Sequence, residues 1–378
     1  MIRVPQKLHE FTIWNTAKCN LRCKYCFVYK LYENQPNRSM TRETADALIH
    51  FASHHLMENG SFWFFGGEPL ADFDILKYIV EKVRANGYNW RFGLTSNCTL
   101  ITEERVKWMK QFDFGILCSI DGTKELHNRY RVYPDGRGSW DEAWRGVNLV
   151  KKHLVPIPQI RWTFTPDTVE GLTESIKWFV DRGFYNLAVD AVYEVEWNEE
   201  SLRRLRKELE KLKLYLVKWY SEGKPVFSMF VRDAVHARVA KSRNWMSRCG
   251  LGMGSIGIDI NGDLYPCHRF VSSRVIKIGD VYSGFSSERL RWIREWQLCP
   301  PYCEKPSKCL DCKFRLACSG GCLAVNYDLF GDPHIVPESM CDIKNLCVEV
   351  LGDLVDLLQD NPTFRKLYLG SERERRVV

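Results

Sequence analysis

Residues 18–27 read KCNLRCKYCF, which puts three cysteines, Cys19, Cys23 and Cys26, inside eight positions. An odd, tightly spaced set of thiols points to metal binding rather than to disulfides. A structural zinc site takes four ligands and usually a second pair in register. Three thiolates suit instead a [4Fe–4S] cluster, whose fourth iron is then left open for a small molecule. A degenerate zinc knuckle is the competing reading.

Composition narrows the setting. The chain has 378 residues, room for one large barrel plus a smaller module or for two ordinary domains. Its 15 cysteines are unevenly placed: three near residue 20, Cys98 and Cys118 in mid-chain, and ten after residue 248. The N-terminus, MIRVPQKLHEF, lacks the apolar stretch of a signal peptide, and no apolar run approaches membrane-spanning length. A cytoplasmic protein with reduced, metal-binding cysteines is expected, without membrane or nucleic acid as a partner. The net charge of +7 is spread along the chain. It reads as a solvated basic surface, or as attraction for an acidic peptide or an acidic electron-transfer protein.

The elements that must position the cysteines alternate through the first half. Strands are predicted at 11–15, 62–65, 91–95, 114–119, 160–165 and 187–192. Helical periodicity runs through 42–57 behind an N-cap at Thr41, and through 73–86 with Gly87 ending the helix in the left-handed conformation. Ser139 with Glu142 predicts a capping box ahead of a helix over 140–154. Residues 199–222 place Leu202, Leu205, Leu209 and Leu212 on one face of a long charged helix. Six strand–helix units in series make a parallel sheet with right-handed crossovers, and the count suits a partial (β/α)6 TIM-type barrel. The KCNLRCKYCF loop then follows the first strand, at the face where such folds do their chemistry.

Further motifs fall in barrel order. FFGGEP (64–69) closes strand two, with Gly66 and Gly67 allowing close backbone approach. TSNCT (95–99) ends strand three and CSIDG (118–122) ends strand four, followed by His127, Asn128 and Arg131. The CxxxCxxC loop with these motifs resembles the radical S-adenosylmethionine (AdoMet) superfamily. The resemblance implies that the open iron chelates AdoMet, and that one electron from the cluster cleaves it to a 5′-deoxyadenosyl radical. It implies AdoMet contacts from Tyr25, Gly66, Gly67, Glu68, Asn97, Ser119, Arg131 and Tyr193. Ser119 would bond the ribose, and Arg131, a charged fork, would pair with the carboxylate. Cys98 stands where relatives often carry Gly and is expected to be a buried thiol.

The C-terminal third has its own cysteine framework. Cys249, Gly262 and Cys267 are followed by Cys309-x2-Cys312-x5-Cys318-x3-Cys322 and Cys341. Asn261-Gly262 predicts a hairpin turn just before Cys267. The order resembles the SPASM domain, which carries two auxiliary [4Fe–4S] clusters; a double zinc ribbon is the alternative. By that resemblance Cys309, Cys312, Cys318 and Cys341 ligate the second auxiliary cluster, and Cys249, Cys267 and Cys322 give three ligands of the first. In the anaerobic sulfatase-maturating enzymes the fourth ligand lies six residues after the first, where this chain has Ser255. Either that iron is open to a substrate thiol, or Cys299, Cys303 or Cys347 closes it. The whole would hold three [4Fe–4S] clusters. The expected domains are residues 1–225 (barrel), 226–248 (bridge), 249–350 (SPASM) and 351–378 (C-terminal helix and charged tail).

Relatives with this domain pair mostly oxidise peptidyl substrates. The expected function is a radical AdoMet peptide- or protein-modifying oxidoreductase that forms a thioether or carbon–carbon crosslink in a ribosomally made precursor. The alternatives are a sulfatase-maturating enzyme that converts Cys or Ser to formylglycine, a small-molecule oxidation, and a non-catalytic iron–sulfur sensor. The sulfatase-maturating enzymes have a proposed basic aspartate directly after the Gx4C cysteine. His268 occupies that place here, as a base or substrate contact. A flavodoxin or ferredoxin is the implied electron donor. About ten residues precede strand one, so the expectation is that a separate protein reads a leader sequence, that the cleft itself reads the substrate, or that the target is a folded or nascent protein.

Overall fold

The computed structural model describes residues 7–28, 38–239, 251–271, 275–298, 309, 311–314, 318 and 320–370. All six predicted strands form. In chain order the first half runs β1 (Leu8–Thr16), α1 (Arg42–His55), β2 (Leu56–Gly66), α2 (Phe73–Ala85), β3 (Arg91–Ser96), α3 (Glu103–Gln111) and β4 (Gly115–Ser119). It continues with α4 (Lys124–Tyr130), α5 (Trp140–His153), β5 (Gln159–Phe164), α6 (Leu172–Val180), β6 (Asn186–Ala191) and α7 (Glu199–Ser221). Then follow β7 (Phe227–Ser228), α8 (Met229–Val239), β8 (Ser255–Ile258), β9 (Asp263–Tyr265), β10 (Gly279–Asp280), β11 (Gly284–Phe285) and α9 (Ser287–Leu298). The last elements used below are α10 (Leu323–Phe330) and α11 (Glu338–Leu351). Two compact units interleave along the sequence: residues 1–120, 127–158 and 248–298 form the first, and 121–126, 159–247 and 299–378 the second.

In the first unit β1, β2, β3 and β4 pair in parallel. Alternation sorts their side chains. Phe62 and Phe64 are fully buried and continue an aromatic layer through Phe11, Trp90, Phe92 and Phe114. Trp63 points to the opposite face and lies across β3. A Cβ at Gly93 would fall 2.3 Å from the indole, and the indole Nε1 donates to Thr95 Oγ1 at 2.9 Å. The sheet also gains an extension that periodicity in the first half could not announce. β8 returns from the C-terminal third to pair in parallel with β1, from Glu10↔Ser255 to Ile13↔Ile258. β9, β10 and β11 then continue from it antiparallel. The predicted hairpin turn is present, with Gly262 at φ +85°.

In the second unit β5, β6 and β7 are parallel. Ile160, Trp162 and Phe164 are buried, while Arg161 and Thr163 occupy the other face of β5. The long helix α7 buries Leu205, Leu209 and Leu212 as expected, together with Glu208. That carboxylate accepts from the Thr173 N–H at 2.9 Å, satisfying a donor at the start of α6.

Two local expectations are corrected. α1 ends at His55 rather than 57, because Leu56 already enters β2. The capping box at α5 does not form. Ser139 makes no side-chain cap, since its hydroxyl is committed to the preceding turn, and Glu142 pairs with Arg137 at 2.6 Å. The Thr41 cap and the left-handed Gly87 (φ +81°) are as expected.

Candidate active site

The site is built where β1–β4 end. The loop after β1 is fastened at its root: Gly67 N donates to Thr16 O at 3.0 Å and Glu68 N to Lys18 O at 2.8 Å. Here the glycines explain themselves. A Cβ on Gly67 would lie 2.2 Å from Lys18 O, and one on Gly66, at φ +121°, 2.5 Å from Thr16 O. The close approach they allow is to the base of the cysteine loop. Further along, Arg22 N donates to Val132 O at 2.7 Å and Lys24 N to Tyr130 O at 3.0 Å, lacing the loop to the segment that carries Arg131.

Past β3, three side chains close a ring of hydrogen bonds. Asn97 Nδ2 donates to Asn20 Oδ1 (3.0 Å), Asn20 Nδ2 to Thr99 Oγ1 (2.7 Å), and Thr99 Oγ1 back to Asn97 Oδ1 (2.7 Å). The ring joins the cysteine loop to the end of β3. Beneath it Glu68 is buried and accepts from Asn97 N (2.7 Å), Ser96 Oγ (2.9 Å) and Leu70 N (3.2 Å). Burial pushes its carboxyl up to about 7, against the lowering effect of those three donors. Asn20 and Thr99 are not among the expected site residues; their only sign is that both are polar residues in strand-end loops. Cys98 is a buried thiol as expected, and its φ of +63° explains why glycine suits that position.

Ser119 ends β4 and is buried; the residue before it registers with Ser96, so Ser119 and Asn97 leave adjacent strands. The HNxxR segment is a folding device for Arg131. Ser139 Oγ donates to Arg131 O at 2.8 Å, so its contact with His127 Nε2 at 3.0 Å is received from the ring. Burial, then the nearby Arg131 charge, hold His127 well below its usual range and therefore neutral. Asn128 Oδ1 accepts from Trp140 N, and a Cβ at Gly138 would strike that amide at 2.1 Å. The Arg131 guanidinium lies 5.5 Å over the ring of Tyr25, which stacks on Tyr130 at 5.6 Å.

His268 also reaches this unit's site. It follows Cys267 beyond β9, and its ring stands 4.8 Å from Phe65 at the end of β2 and 6.3 Å from Phe27, next to Cys26. Tyr193 belongs to the second unit, where it is buried and donates to Asp190 at 2.6 Å.

Does the donor set fit iron–sulfur chemistry? Among the described residues no three His, Cys, Asp or Glu side chains converge as ligands of a single ion. A four-iron cluster takes one thiolate per iron and needs its cysteines set around a larger body. Backbone donors face two of the sulfurs, Leu21 N to Cys19 Sγ at 3.5 Å and Gly320 N to Cys318 Sγ at 3.3 Å, contacts that suit thiolates of a cluster. Burial pushes the Cys19 thiol up to about 12, so a bound iron would have to displace its proton to make it a ligand. The residues fit. Cys309, Cys312, Cys318, Cys322 and Cys341 lie in the second unit and Cys267 in the first. Cys347 is buried in α11. Cys249, Cys299 and Cys303 fall outside the described residues.

Comparison with known proteins agrees. Residues 16–182 match the Radical SAM superfamily. The chain is 25% identical over 321 residues to a cysteine-type anaerobic sulfatase-maturating enzyme of Clostridium novyi, covering 81% of this chain and 85% of that one. It is likewise 25% identical to a serine-type enzyme of Bacteroides thetaiotaomicron, over 81% and 80%. In fold it is similar to native anSMEcpe with bound AdoMet (TM-score 0.75, 22% identity, 93% of this chain and 99% of that one). It is also similar to Streptococcus suis SuiB bound to its precursor peptide SuiA (TM-score 0.61, 18%, 89% and 76%). These likenesses establish the α/β partial-barrel fold. Among the described residues no helix is long and apolar enough to cross a membrane.

Proposed function

We propose that the chain, whose residues 16–182 match the Radical SAM superfamily, is a radical SAM enzyme that oxidises a cysteine or serine side chain within a protein or peptide substrate. Cys19, Cys23 and Cys26 would hold the [4Fe–4S] cluster that the family implies. Tyr25, Gly66, Gly67, Glu68, Asn97, Ser119 and Arg131 would bind or frame AdoMet. When bound, these two groups supply the one-electron chemistry that generates a 5′-deoxyadenosyl radical for hydrogen abstraction. The observation that carries this reading is the convergence of Arg131, Tyr25 and the Asn97–Asn20–Thr99 ring on the cysteine loop. Arg131 offers a fixed charge for a carboxylate, and the ring holds the loop without a charge of its own. In the remaining framework Cys309, Cys312, Cys318 and Cys341 would ligate one auxiliary cluster, and Cys249, Cys267 and Cys322 three positions of another. A flavodoxin- or ferredoxin-type donor would supply the electron.

The similarity to both cysteine- and serine-type sulfatase-maturating enzymes, over four-fifths of the chain, favours formylglycine formation. The crosslinking reading retains one specific support: Ser255 and His268 stand where those enzymes place a cluster thiolate and a basic aspartate. Anaerobically reconstituted protein given AdoMet, a low-potential reductant and three peptides separates the readings. The peptides are a sulfatase-type cysteine peptide, its serine counterpart and a cysteine-rich precursor. Formylglycine formation exchanges sulfur for oxygen and removes two hydrogens from the first, and removes two hydrogens alone from the second; a thioether removes two hydrogens from the third and blocks its thiol. If the crosslink requires an open iron, Ser255→Cys should suppress it while AdoMet cleavage persists. The Cys19/Cys23/Cys26→Ala variant should lose about four irons and all 5′-deoxyadenosine formation; retained cleavage would remove the whole reading.

A further inference from the structure

The second unit buries an ionic cluster that the proposed chemistry does not use. The Lys344 ammonium, on α11, donates to Asp233 Oδ2 at 2.6 Å and stands 4.0 Å from Asp190 Oδ1. It also lies 5.7 Å from the ring centre of Tyr193. Asp233, on α8, accepts a second cation, Arg232, at 2.9 and 3.1 Å. Asp190, on β6, accepts the Tyr193 hydroxyl at 2.6 Å and faces Arg161 of β5 at 3.8 Å. Burial draws the Lys344 ammonium down, but Tyr193, Asp190 and Asp233 together hold it well above the usual lysine range. Among the described residues three cations oppose these two carboxylates; Arg161 and Arg232 are 30% and 40% exposed and screened by water, so Lys344 is the cation the cluster buries.

Burying such charges is costly, and a helix can be pinned more cheaply by apolar contacts. The same turn of α11 explains the placement. Cys341 precedes Lys344 by three residues, on the neighbouring part of the helix surface. Asn345 follows it, accepting the Cys312 thiol at 3.2 Å and donating to Cys341 O at 2.9 Å. Ser339 Oγ, at the start of the helix, donates to Tyr193 O at 2.9 Å. One face of this turn is tied to β6 and α8, while Asn345 holds the Cys312 thiol and the Cys341 carbonyl.

We propose that Lys344 is a positioning residue for the iron–sulfur centre ligated by Cys312 and Cys341, fixing the helix turn that carries Cys341 and meets Cys312 and raising the centre's reduction potential through its buried positive charge. The inference rests on the ligand reading of Cys309, Cys312, Cys318 and Cys341 given above. Reduction adds negative charge to a cluster, and a buried cation nearby favours that state.

The test is an EPR-monitored reductive titration of the fully reconstituted protein. Lys344→Met should lower the midpoint potential of one auxiliary centre, and Asp190→Asn should raise it. Lys344→Arg should restore most of the wild-type value. A role confined to packing would move Lys344→Met and Asp190→Asn in the same direction, or move neither, and either result overturns the inference. Should Lys344→Met not retain its iron, the signs for Asp190→Asn and Asp233→Asn decide: both must shift upward. Cys312→Ala and Cys341→Ala in the same series isolate the premise. If neither costs a cluster signal, the ligand assignment is wrong whatever Lys344 does.

Discussion

At the end of β3 the first unit joins two loops with Asn20, Asn97 and Thr99, none of which carries a charge. Beside β6 the second unit joins a strand to two helices with Asp190, Asp233 and Lys344, all of which do. Both arrangements are largely buried, yet they should fail differently. A neutral hydrogen bond contributes about 0.5–1.5 kcal/mol net, because unfolding exchanges it for water. An ion pair in the interior contributes little while intact, but removing one partner leaves the other charge desolvated and uncompensated. The first arrangement tolerates pruning. The second makes the position of α11 an all-or-none matter.

Stranding a charge should separate the two regions most strongly. Asp233→Ala should destabilise the protein by about 3–5 kcal/mol, measured by denaturant unfolding. Adding Lys344→Met should recover part of that loss, since the stranded cation is gone. A double variant no more stable than Asp233→Ala would show that packing, not charge, sets the cost.

Glu68 is the one carboxylate beneath the neutral ring, and it tests whether the first unit also conceals an ionic cost. Its folded value of about 7 lies above the ordinary 4.5. The folded state thus binds this proton more tightly than the unfolded chain does. That contribution is complete below pH 4.5 and is lost as pH rises through about 7, by at most about 3 kcal/mol at 1.36 kcal/mol per pH unit. Glu68→Gln should flatten this part of the stability–pH curve. An unchanged slope in the variant would assign the slope to another group.

Arg131→Ala should weaken AdoMet binding by about 1.5–3 kcal/mol, the worth of a hydrogen bond to a charged group, measured by equilibrium dialysis. Arg131→Lys should restore only part, since the fork and its stacking on Tyr25 are lost. Equal affinity in all three proteins would make Arg131 a purely structural residue. The smallest effect belongs to the ring itself: Thr99→Val removes one acceptor and one donor and should cost about 1 kcal/mol of stability. A loss comparable with that of Asp233→Ala would erase the distinction between the two regions.

Local features are legible from residue order alone. Strands β1 to β6, the Thr41 cap, the left-handed Gly87 and the turn at Gly262 follow from periodicity and from backbone conformations that few residues accept. The cysteine spacing, the paired glycines and Arg131 were equally legible, because their chemistry is written in residue type and order. Tertiary structure decided whatever depends on partners distant along the chain. Ser139 looked like a cap until Arg131 O and His127 drew its hydroxyl away. Gly66 and Gly67 looked like room for a ligand, and the atoms that crowd them are Thr16 O and Lys18 O. Ser255 belonged to a cysteine framework in the sequence and to a strand beside β1 in the fold. Lys344 carries no signal of its own in the sequence. Only the approach of Asp190 and Asp233, 154 and 111 positions away, turned it into a buried cation, because water is excluded there and each charge must be answered by another.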